Sequence, residues 1–447
     1  MDRPAIRRYI DGMRWAQALG RRALRIRNLR WWIVALICAG TMANYLARNS
    51  LGVLAPELKT ALHMSTQQYS YVVGAFQLAY TIMQPIAGAL VDRFGLRIGF
   101  AMFALAWSAA NMLHALAIGW LSLAFFRGLL GVFEAAAIPS GIKAVAEWFP
   151  ARERSVAVGW FNAGTSLGAL IAPPVVAAVA IWADWRWAFI VTGAVGILWA
   201  GAWFAFYRSP ETHHAITDEE RALIAADRPA TPAQRTPARD ILRLPRFWVI
   251  AVPRFLAEPA WQTFSFWIPL YLATERGMDL KQIALFAWLP FLAADLGGIL
   301  GGYLSPFLMK RGVALIPSRI VGISLGAVLM IAPGCIGLVS SPYTAIALFS
   351  IGGFAHQMIS GLINTLSADV FNPAEVGTAN GFIGQAGWIG GLIFSLLIGQ
   401  FADTIGYAPL FAVLAVLDLI GAAVLILFIR RLVLPSPAPV PVEELSR

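Results

Sequence analysis

Charged residues are scarce in this chain: Asp, Glu, Lys and Arg make up only 13% of its 447 residues, against about 25% in a typical soluble domain. Apolar residues make up 59%, with 17 Trp and 27 Phe, and the mean hydropathy is +0.68. A soluble core cannot hide this much apolar surface, because the buried fraction rises slowly with chain length. The composition disfavours a soluble enzyme, a nucleic-acid-binding protein and a disordered scaffold. It favours a polytopic helical membrane protein.

Cysteine and nucleotide-binding motifs are also nearly or wholly missing. The two cysteines, Cys38 and Cys335, sit in apolar runs, which predicts free thiols. His213 and His214 are adjacent but lack a third clustered ligand, so no metal site is predicted. No GxxxxGK[ST] loop occurs, so nucleotide-driven transport is not expected. No cofactor is predicted. An enzyme would need a nucleophile with a base or a metal cluster, and a sensor would usually carry a signalling domain.

Long apolar runs dominate what remains. A bilayer core about 30 Å thick needs about 20 apolar residues per helix. Twelve such runs predict an all-α polytopic membrane protein with twelve transmembrane helices, at 31–54, 69–91, 98–118, 121–146, 156–181, 187–207, 247–273, 282–309, 318–338, 343–366, 376–402 and 408–430. The longest connection, 208–246, is polar, and within it Thr217 before three acidic residues predicts a helix start.

Basic residues collect on one side of these spans. Residues 1–30 hold nine Arg and two acidic residues, and the same side holds basic residues at 92–97, 152–154, 208–246, 310–319 and 430–431. The opposite side has few, namely Lys59, Arg186, Arg276 and Lys281. This asymmetry predicts that both termini are cytoplasmic. The Arg-rich start is expected to lie on the anionic inner leaflet rather than to act as a signal peptide.

The two halves of the chain repeat at a fixed offset of 222 residues. The aligned pairs include 146–149 with 368–371, Glu153 with Glu375, Ala157 with Ala379, Gly131 with Gly353, Gly159 with Gly381, and Gly168 with Gly390. Such a repeat predicts two parallel six-helix bundles with a ligand held between them near the midplane, as in a carrier. The predicted units are an N-terminal segment, a first bundle, a cytoplasmic linker, a second bundle and a tail, at 1–30, 31–207, 208–246, 247–431 and 432–447.

Ionisable residues inside the spans are costly and indicate function. Arg48 and Arg127 are predicted to hold a substrate anion, because a guanidinium stays charged and binds a carboxylate through two nitrogens. Glu134 is the predicted proton carrier, although Arg127 and Glu134 share a helix face and could simply neutralise each other. The offset of 222 aligns Glu134 with His356, which is either a second proton or substrate site or a packing residue.

Three further ionisable residues have open roles. Arg254 and Glu258 lie four residues apart and are expected to pair, either as a structural or gating pair or as a substrate contact. Asp295 is a second proton site, half of a gate or a structural residue. Candidate cavity residues for a sugar-like ligand, each of which could instead be packing, are Tyr45, Tyr71, Tyr80, Gln84, Trp261, Phe264, Asn364, Asn380, Gln385 and Trp388.

Residues 88–97 (GALVDRFGLR) resemble the G-x-x-x-D-R-x-G-x-R signature of the major facilitator superfamily, and 302–312 carry a decayed copy. Segments 127–139, 147–154, 253–261 and 352–357 are similar to its anion:cation symporter family, and most of all to the bacterial hexuronate carriers in it. The resemblance covers about residues 30 to 430.

The resemblance implies proton-coupled import of a hexuronate such as galacturonate or glucuronate across a bacterial inner membrane, by a carrier that needs no partner protein. Another sugar acid or organic anion, such as an aldonate or aldarate, is the alternative, and export is possible since direction depends on gradients. Many relatives carry Asp where this chain has Ala47, so fewer protons per substrate are expected, on Glu134 alone or with His356 or Asp295. In the signature loop, Asp92 with Arg93 and Arg97 is expected to form a gating latch.

Overall fold

The computed structural model describes residues 25–226, 237–371 and 373–433. Most of the predicted N-terminal segment 1–30 and of the tail 432–447 lies outside these residues. The described part is helical almost throughout, and its isolated β-bridge joins Ile26 to Ile216. Cys38 and Cys335 are free thiols, as predicted.

Nine α-helices form the first half and the beginning of the linker. They are α1 (Leu29–Val53), α2 (Ala55–Ala61), α3 (Thr66–Phe94), α4 (Leu96–Leu113), α5 (Trp120–Glu134), α6 (Ala137–Trp148), α7 (Ala151–Trp182), α8 (Trp185–Phe206) and α9 (Asp218–Ala226). Helices α5 and α6 follow one another almost directly and together form one span, Trp120–Trp148.

Ten α-helices of the described residues form the rest. They are α10 (Ala238–Leu242), α11 (Pro245–Phe266), α12 (Ile268–Thr274), α13 (Leu280–Phe286), α14 (Leu289–Lys310), α15 (Leu315–Leu329), α16 (Ile331–Gly334), α17 (Pro342–Val370), α18 (Pro373–Ile405) and α19 (Tyr407–Val433). Helices α13 and α14 together form the span Leu280–Lys310.

The twelve predicted spans all fall on these helices. Among the described residues, ten helices are long and apolar enough to cross a membrane by length and composition alone. The remaining two predicted spans, 69–91 and 247–273, fall on α3 and α11, which are 29 and 22 residues long. Both pack against α18, and both carry polar residues such as Gln77 and Glu258 that lower their hydropathy. The predicted fold class, with twelve transmembrane helices in two six-helix bundles, is confirmed.

Two of the three glycine pairs that align across the repeat occupy equivalent close contacts in the two halves. A Cβ on Gly131 of α5 would overlap the carbonyl oxygen of Phe76, and one on Gly353 of α17 would overlap that of Pro290. Gly168 and Gly390 likewise approach the backbone of α1 and α11. Helices can approach this closely only where no side chain intervenes. The repeat in the sequence is therefore also a repeat in helix packing.

Alanine at these contacts is expected to destabilise the protein. In Gly131→Ala and Gly353→Ala, the added methyl group must push a neighbouring backbone aside, at a cost of about 1–3 kcal/mol. Thermal unfolding of the detergent-solubilised variants measures the effect. Gly159→Ala and Gly381→Ala are matched controls, because no described atom lies within 4 Å of the added Cβ there. Equal melting temperatures in the two pairs would contradict the close-packing argument.

The two halves meet at the end of the bundle opposite the termini. The Tyr69 hydroxyl donates to the Phe266 carbonyl at 2.8 Å, and Gln67 of α3 donates to Gln400 of α18 at 2.5 Å. Deeper in the bundle, the Gln77 amide donates to Ser395 at 3.3 Å. An apolar cluster with members from both halves surrounds these contacts. This end of the bundle is therefore closed.

The linker is fastened to the first half by hydrogen bonds. Thr217 accepts a hydrogen bond from the Glu220 backbone at 3.2 Å, which confirms the predicted helix start of α9. The buried Glu220 carboxylate accepts from the backbone N–H groups of Leu29 and Arg30 at 2.9 and 3.1 Å. It also pairs with the Arg30 guanidinium at 2.8 Å. A carboxylate on these N–H groups stabilises the start of α1.

Candidate functional site

A buried ion pair joins α1 to the end of α5 in the first half. Arg48 donates from Nε to Oε2 of Glu134 at 2.8 Å, and the two side chains are 5% and 0% exposed. Arg48 also donates from Nη2 to the Asn44 side chain at 3.3 Å. The cation paired with Glu134 is therefore Arg48, rather than the Arg127 on its own helix face. Among the described residues, Oε1 of Glu134 and Nδ2 of Asn44 have no hydrogen-bond partner.

Arg127 lies next to this pair and contacts the Arg48 backbone. Its two terminal nitrogens donate to the Arg48 carbonyl at 3.3 and 3.4 Å, and its side chain is fully buried. Within the described residues, its Nε has no hydrogen-bond partner. Two guanidinium groups and one carboxylate thus share a small buried volume. Because a buried charge without a counter-ion is costly, this arrangement leaves room for one further anionic group.

Aromatic rings enclose the Arg48 guanidinium. Its central carbon lies 4.4 Å from the ring centre of Tyr45 and 4.9 Å from that of Tyr80. Phe76 and Trp388 follow at 5.2 and 5.6 Å. Trp388 comes from the second half and packs on Tyr80 with ring centres 4.5 Å apart. The predicted cavity residues Tyr45, Tyr80 and Trp388 are therefore brought together around Arg48, across the boundary between the halves.

A second ion pair lies across that boundary on α11. Arg254 and Glu258 approach to 2.7 Å, which confirms the pairing expected from their spacing. Arg254 also donates to the Ser360 hydroxyl, and Gln262 donates to Glu258 at 3.3 Å. Gly387 lies against the side chains of both Arg254 and Glu258, and the next residue, Trp388, lies 5.6 Å from the Arg48 guanidinium. The two ion pairs, one from each half, thus form a single charged centre in the middle of the bundle.

His356 lies beside this second pair. It is buried and stacks on Trp261 with ring centres 5.6 Å apart. It also interacts electrostatically with Arg254. Its Nδ1 has no hydrogen-bond partner among the described residues. Glu134 of α5 contacts α1, and His356 of α17 contacts α11, so the two positions aligned by the repeat face equivalent helices. The proton and substrate roles of His356 stay predictions.

The other predicted cavity residues are spread over several places. Gln385 donates to the Thr81 carbonyl of the other half at 3.4 Å, and Asn380 accepts a hydrogen bond from Ser367. Gln84 is half-buried, Asn364 is exposed, and Phe264 is buried against Phe349. Tyr71 is 43% exposed and packs on Trp120. It shares an exposed apolar face of α3 with Leu78 and Ile82, away from the charged centre.

The remaining predicted ionisable residues lie outside the charged centre. Asp295 is half-buried on α14 and interacts with the Ser166 side chain of the first half. Arg93 is exposed, and Arg97 donates to the Phe204 carbonyl at 3.0 and 2.8 Å, at the end of α8. The side chain of Asp92 lies outside the described residues, so the latch stays a prediction. No metal-binding group of His, Cys, Asp and Glu occurs in the described part.

Two of the buried polar residues that were not singled out from the sequence have unusual surroundings. Asn44 is fully buried and holds Arg48, and its position one helical turn before Arg48 is the signal that could have revealed it. Asp418 of α19 is 3% exposed, and neither carboxyl oxygen has a partner among the described residues. It is an acidic residue inside an apolar run. Of these two residues, Asn44 belongs to the charged centre by contact.

Comparison with known proteins gives the family and the relatives. The Major Facilitator Superfamily profile matches residues 37–335 and 315–447. The chain is 52% identical to the hexuronate transporter of Escherichia coli (strain K12), over 90% of this chain and 94% of that protein. It is 50% identical to the galacturonate transporter of Dickeya chrysanthemi, over 72% and 95%, and 28% identical to the D-galactonate transporter of Escherichia coli O6:H1, over 90% and 95%.

A solved structure shares the fold. It is a bacterial homologue of the human lysosomal transporter Spinster, in an inward-facing and unoccupied conformation. The TM-score is 0.67 at 19% identity, over 90% of this chain and 95% of that one.

Proposed function

This chain belongs to the major facilitator superfamily, and from that membership we propose that it imports hexuronates such as galacturonate and glucuronate by proton symport. The relatives are transporters rather than enzymes, which agrees with the expectation from the sequence. Two relatives at 52% and 50% identity that are named for hexuronate and galacturonate transport support this substrate. The D-galactonate transporter at 28% identity keeps other sugar acids as the alternative.

The observation that carries the coupling proposal is the buried Arg48–Glu134 ion pair. A substrate carboxylate and the Glu134 carboxylate compete for one guanidinium. When Glu134 takes up a proton, it loses its negative charge and its ion pair with Arg48 breaks. Arg48 can then bind the substrate carboxylate through two nitrogens. Substrate and proton thus enter the centre together and leave it together. Arg127, with its unpaired Nε, would hold the second substrate oxygen or the Arg48 backbone in place.

The sugar ring would lie between the halves. The faces of Tyr45, Tyr80 and Trp388 offer apolar surface beside Arg48, and aromatic residues with a few polar groups are typical of small-ligand sites. Gln385 and Gln262 lie on the second-half side and would contact the hydroxyl groups. Because the anion site and the hydroxyl contacts sit on different halves, binding would draw the halves together.

We propose that the halves, 31–207 and 247–431, rock against each other around this centre, with 208–246 as the connection. The contacts of Tyr69 and Gln67 at the end opposite the termini would break in the outward-open state. The Arg254–Glu258 pair, within reach of Arg48, would act as the gate. The distribution of Arg and Lys supports cytoplasmic termini. We propose a place in the bacterial inner membrane, since the relatives are bacterial transporters. We propose a monomer, since one chain contains the whole centre.

Uptake of radiolabelled galacturonate into proteoliposomes tests this function. We expect accumulation above the equilibrium level when an inward proton gradient is applied and only equilibration without one. Accumulation that does not depend on the gradient would contradict proton coupling. Uptake of D-galactonate but neither hexuronate would reject the substrate and favour the aldonate alternative.

A further inference from the structure

An apolar groove opens on the side of the bundle, at the end that carries the termini. It has a volume of about 540 Å³ and lies between α1, the end of α8 and the start of the linker. Its lining residues include Trp32, Leu36, Ala205, Phe206, Arg208 and His214. This volume lies within the range of roughly 300–1,000 Å³ of pockets that hold small molecules. The groove is far from the charged centre and plays no part in the proposed transport cycle.

The walls of the groove are large apolar side chains that the protein leaves uncovered. Trp32 and Phe206 are each 67% exposed. They stand at the ends of two membrane spans, Leu29–Val53 and Trp185–Phe206. Aromatic residues at such ends lie at the level of the lipid headgroups. The occupant of the groove must therefore have an apolar part that reaches it from the membrane.

One edge of the groove is positively charged. Arg208 uses Nη1 to donate to the carbonyls of Ala205 and Tyr207 at 3.1 and 3.3 Å, and it forms no ion pair within the described residues. The acidic residues of this region have their own interactions: Asp218 pairs with Arg25 at 2.6 Å, Glu220 pairs with Arg30 at 2.8 Å, and Glu211 is not free. Arg208 is therefore a cation at the headgroup level that lacks an acidic partner.

The neighbouring His213 adds hydrogen bonds but no charge to this edge of the groove. Nδ1 of His213 accepts from the Ala215 backbone at 3.1 Å, so its proton sits on Nε2, 3.2 Å from the Phe206 carbonyl. Burial lowers the pKa of His213, which keeps the ring neutral. The charge at the edge of the groove is thus that of Arg208, with the exposed His214 beside it.

We propose that this groove binds an anionic phospholipid, with the phosphate on Arg208 and an acyl chain against Trp32, Leu36 and Phe206. Charge complementarity selects the headgroup, and the apolar walls select a lipid over a free phosphate compound. Basic pockets beside membrane helices are general sites for anionic lipids. This inference does not depend on which substrate the protein carries.

The bound lipid would also hold the linker against the first half. Ile26 and Ala215, which line the groove, are joined by a backbone hydrogen bond of 2.8 Å. The same region is fastened by Glu220 at the start of α1. A lipid that bridges α1, α8 and residues 213–215 therefore stabilises the docked position of the linker.

Lipid binding to the purified full chain tests the proposal. Native mass spectrometry compares phosphatidylglycerol with phosphatidylcholine of the same acyl chains. We expect about fivefold tighter binding of phosphatidylglycerol, because one Arg near a lipid surface contributes about 1 kcal/mol. Arg208→Gln should remove this preference, and Arg208→Lys should largely keep it. Arg186→Gln is the matched control, since Arg186 flanks the other end of α8 and pairs with Asp184.

Ala205→Trp should fill the groove and lower the binding of both lipids.

Several outcomes would overturn the proposal. Equal affinity for the two lipids, or a preference that survives Arg208→Gln, would rule out the headgroup contact. Unchanged lipid binding in Ala205→Trp would rule out the groove. Glycerol 3-phosphate binding as tightly as the lipid would show a headgroup site without an acyl chain. Binding that appears only when residues 2–24 are deleted would show that the chain itself fills the groove.

Discussion

Glu134→Gln is expected to abolish proton-driven accumulation of substrate and to leave exchange intact. With about one pH unit of inward gradient and one proton per substrate anion, the native protein should concentrate galacturonate about tenfold, since a tenfold ratio corresponds to about 1.4 kcal/mol. The variant should show no accumulation driven by the gradient. Glutamine keeps the shape of a protonated glutamate but cannot take up or release a proton near neutral pH, and it has no negative charge to compete with the substrate for Arg48.

Proteoliposomes separate these two activities. Accumulation under a proton gradient measures coupling, and counterflow of labelled against unlabelled galacturonate measures exchange. Asp418→Asn is the matched control, because Asp418 is a buried carboxyl on α19 without a described partner and outside the charged centre. It should keep both activities. Accumulation by Glu134→Gln at the native level would remove Glu134 from the coupling step and leave His356 and Asp295 as candidates.

Arg48→Lys is expected to weaken substrate binding by roughly 10- to 150-fold, while the protein still folds. The change keeps the positive charge opposite Glu134, so no carboxylate is left buried and unpaired, which would otherwise cost about 3–5 kcal/mol. Lysine cannot keep the contact with Asn44 and also bind a substrate carboxylate through two nitrogens in one plane, as arginine can. The loss of a hydrogen bond to a charged group costs about 1.5–3 kcal/mol, which gives the range above.

The concentration dependence of uptake, with thermal stabilisation by galacturonate, measures this effect. Arg186→Lys, at an exposed pair with Asp184, should leave the apparent affinity unchanged. Arg254→Lys should alter the transport rate more than the affinity if the Arg254–Glu258 pair is a gate. An Arg48→Lys protein with native affinity would show that the substrate anion is held elsewhere, with Arg127 as the next candidate.

The features of the fold that follow from local sequence were predictable. The first predicted span, 31–54, matches α1 (Leu29–Val53), and the helix start at Thr217 was found where its capping residue placed it. The Arg254–Glu258 pair was predictable, because residues four apart on a helix are always neighbours. The offset of 222 residues found the equivalent glycines Gly131 and Gly353, since each allows the same close helix contact.

The ionisable residues of the charged centre could be predicted from the sequence, but the contacts between them could not. Glu134 shares a helix face with Arg127, yet its partner is Arg48, 86 residues away along the chain. Which arginine it reaches depends on how α1 and α5 are rotated and tilted against each other. Tyr71 and Tyr80 lie on the same helix, and only packing decides that one contacts Arg48 while the other is exposed on an apolar face.

By itself, the sequence determined the membrane class, the number and order of the spans, the twofold repeat and the set of buried ionisable residues. These depend on the length of apolar runs, on spacing along one helix and on internal similarity. All three can be read along the chain without knowing how its helices pack. The tertiary structure decided which charges pair, which aromatic rings enclose Arg48 and how Glu220 holds the start of α1. Those contacts join residues far apart in the chain, and the helical period fixes the face of a residue without fixing the helix that it faces.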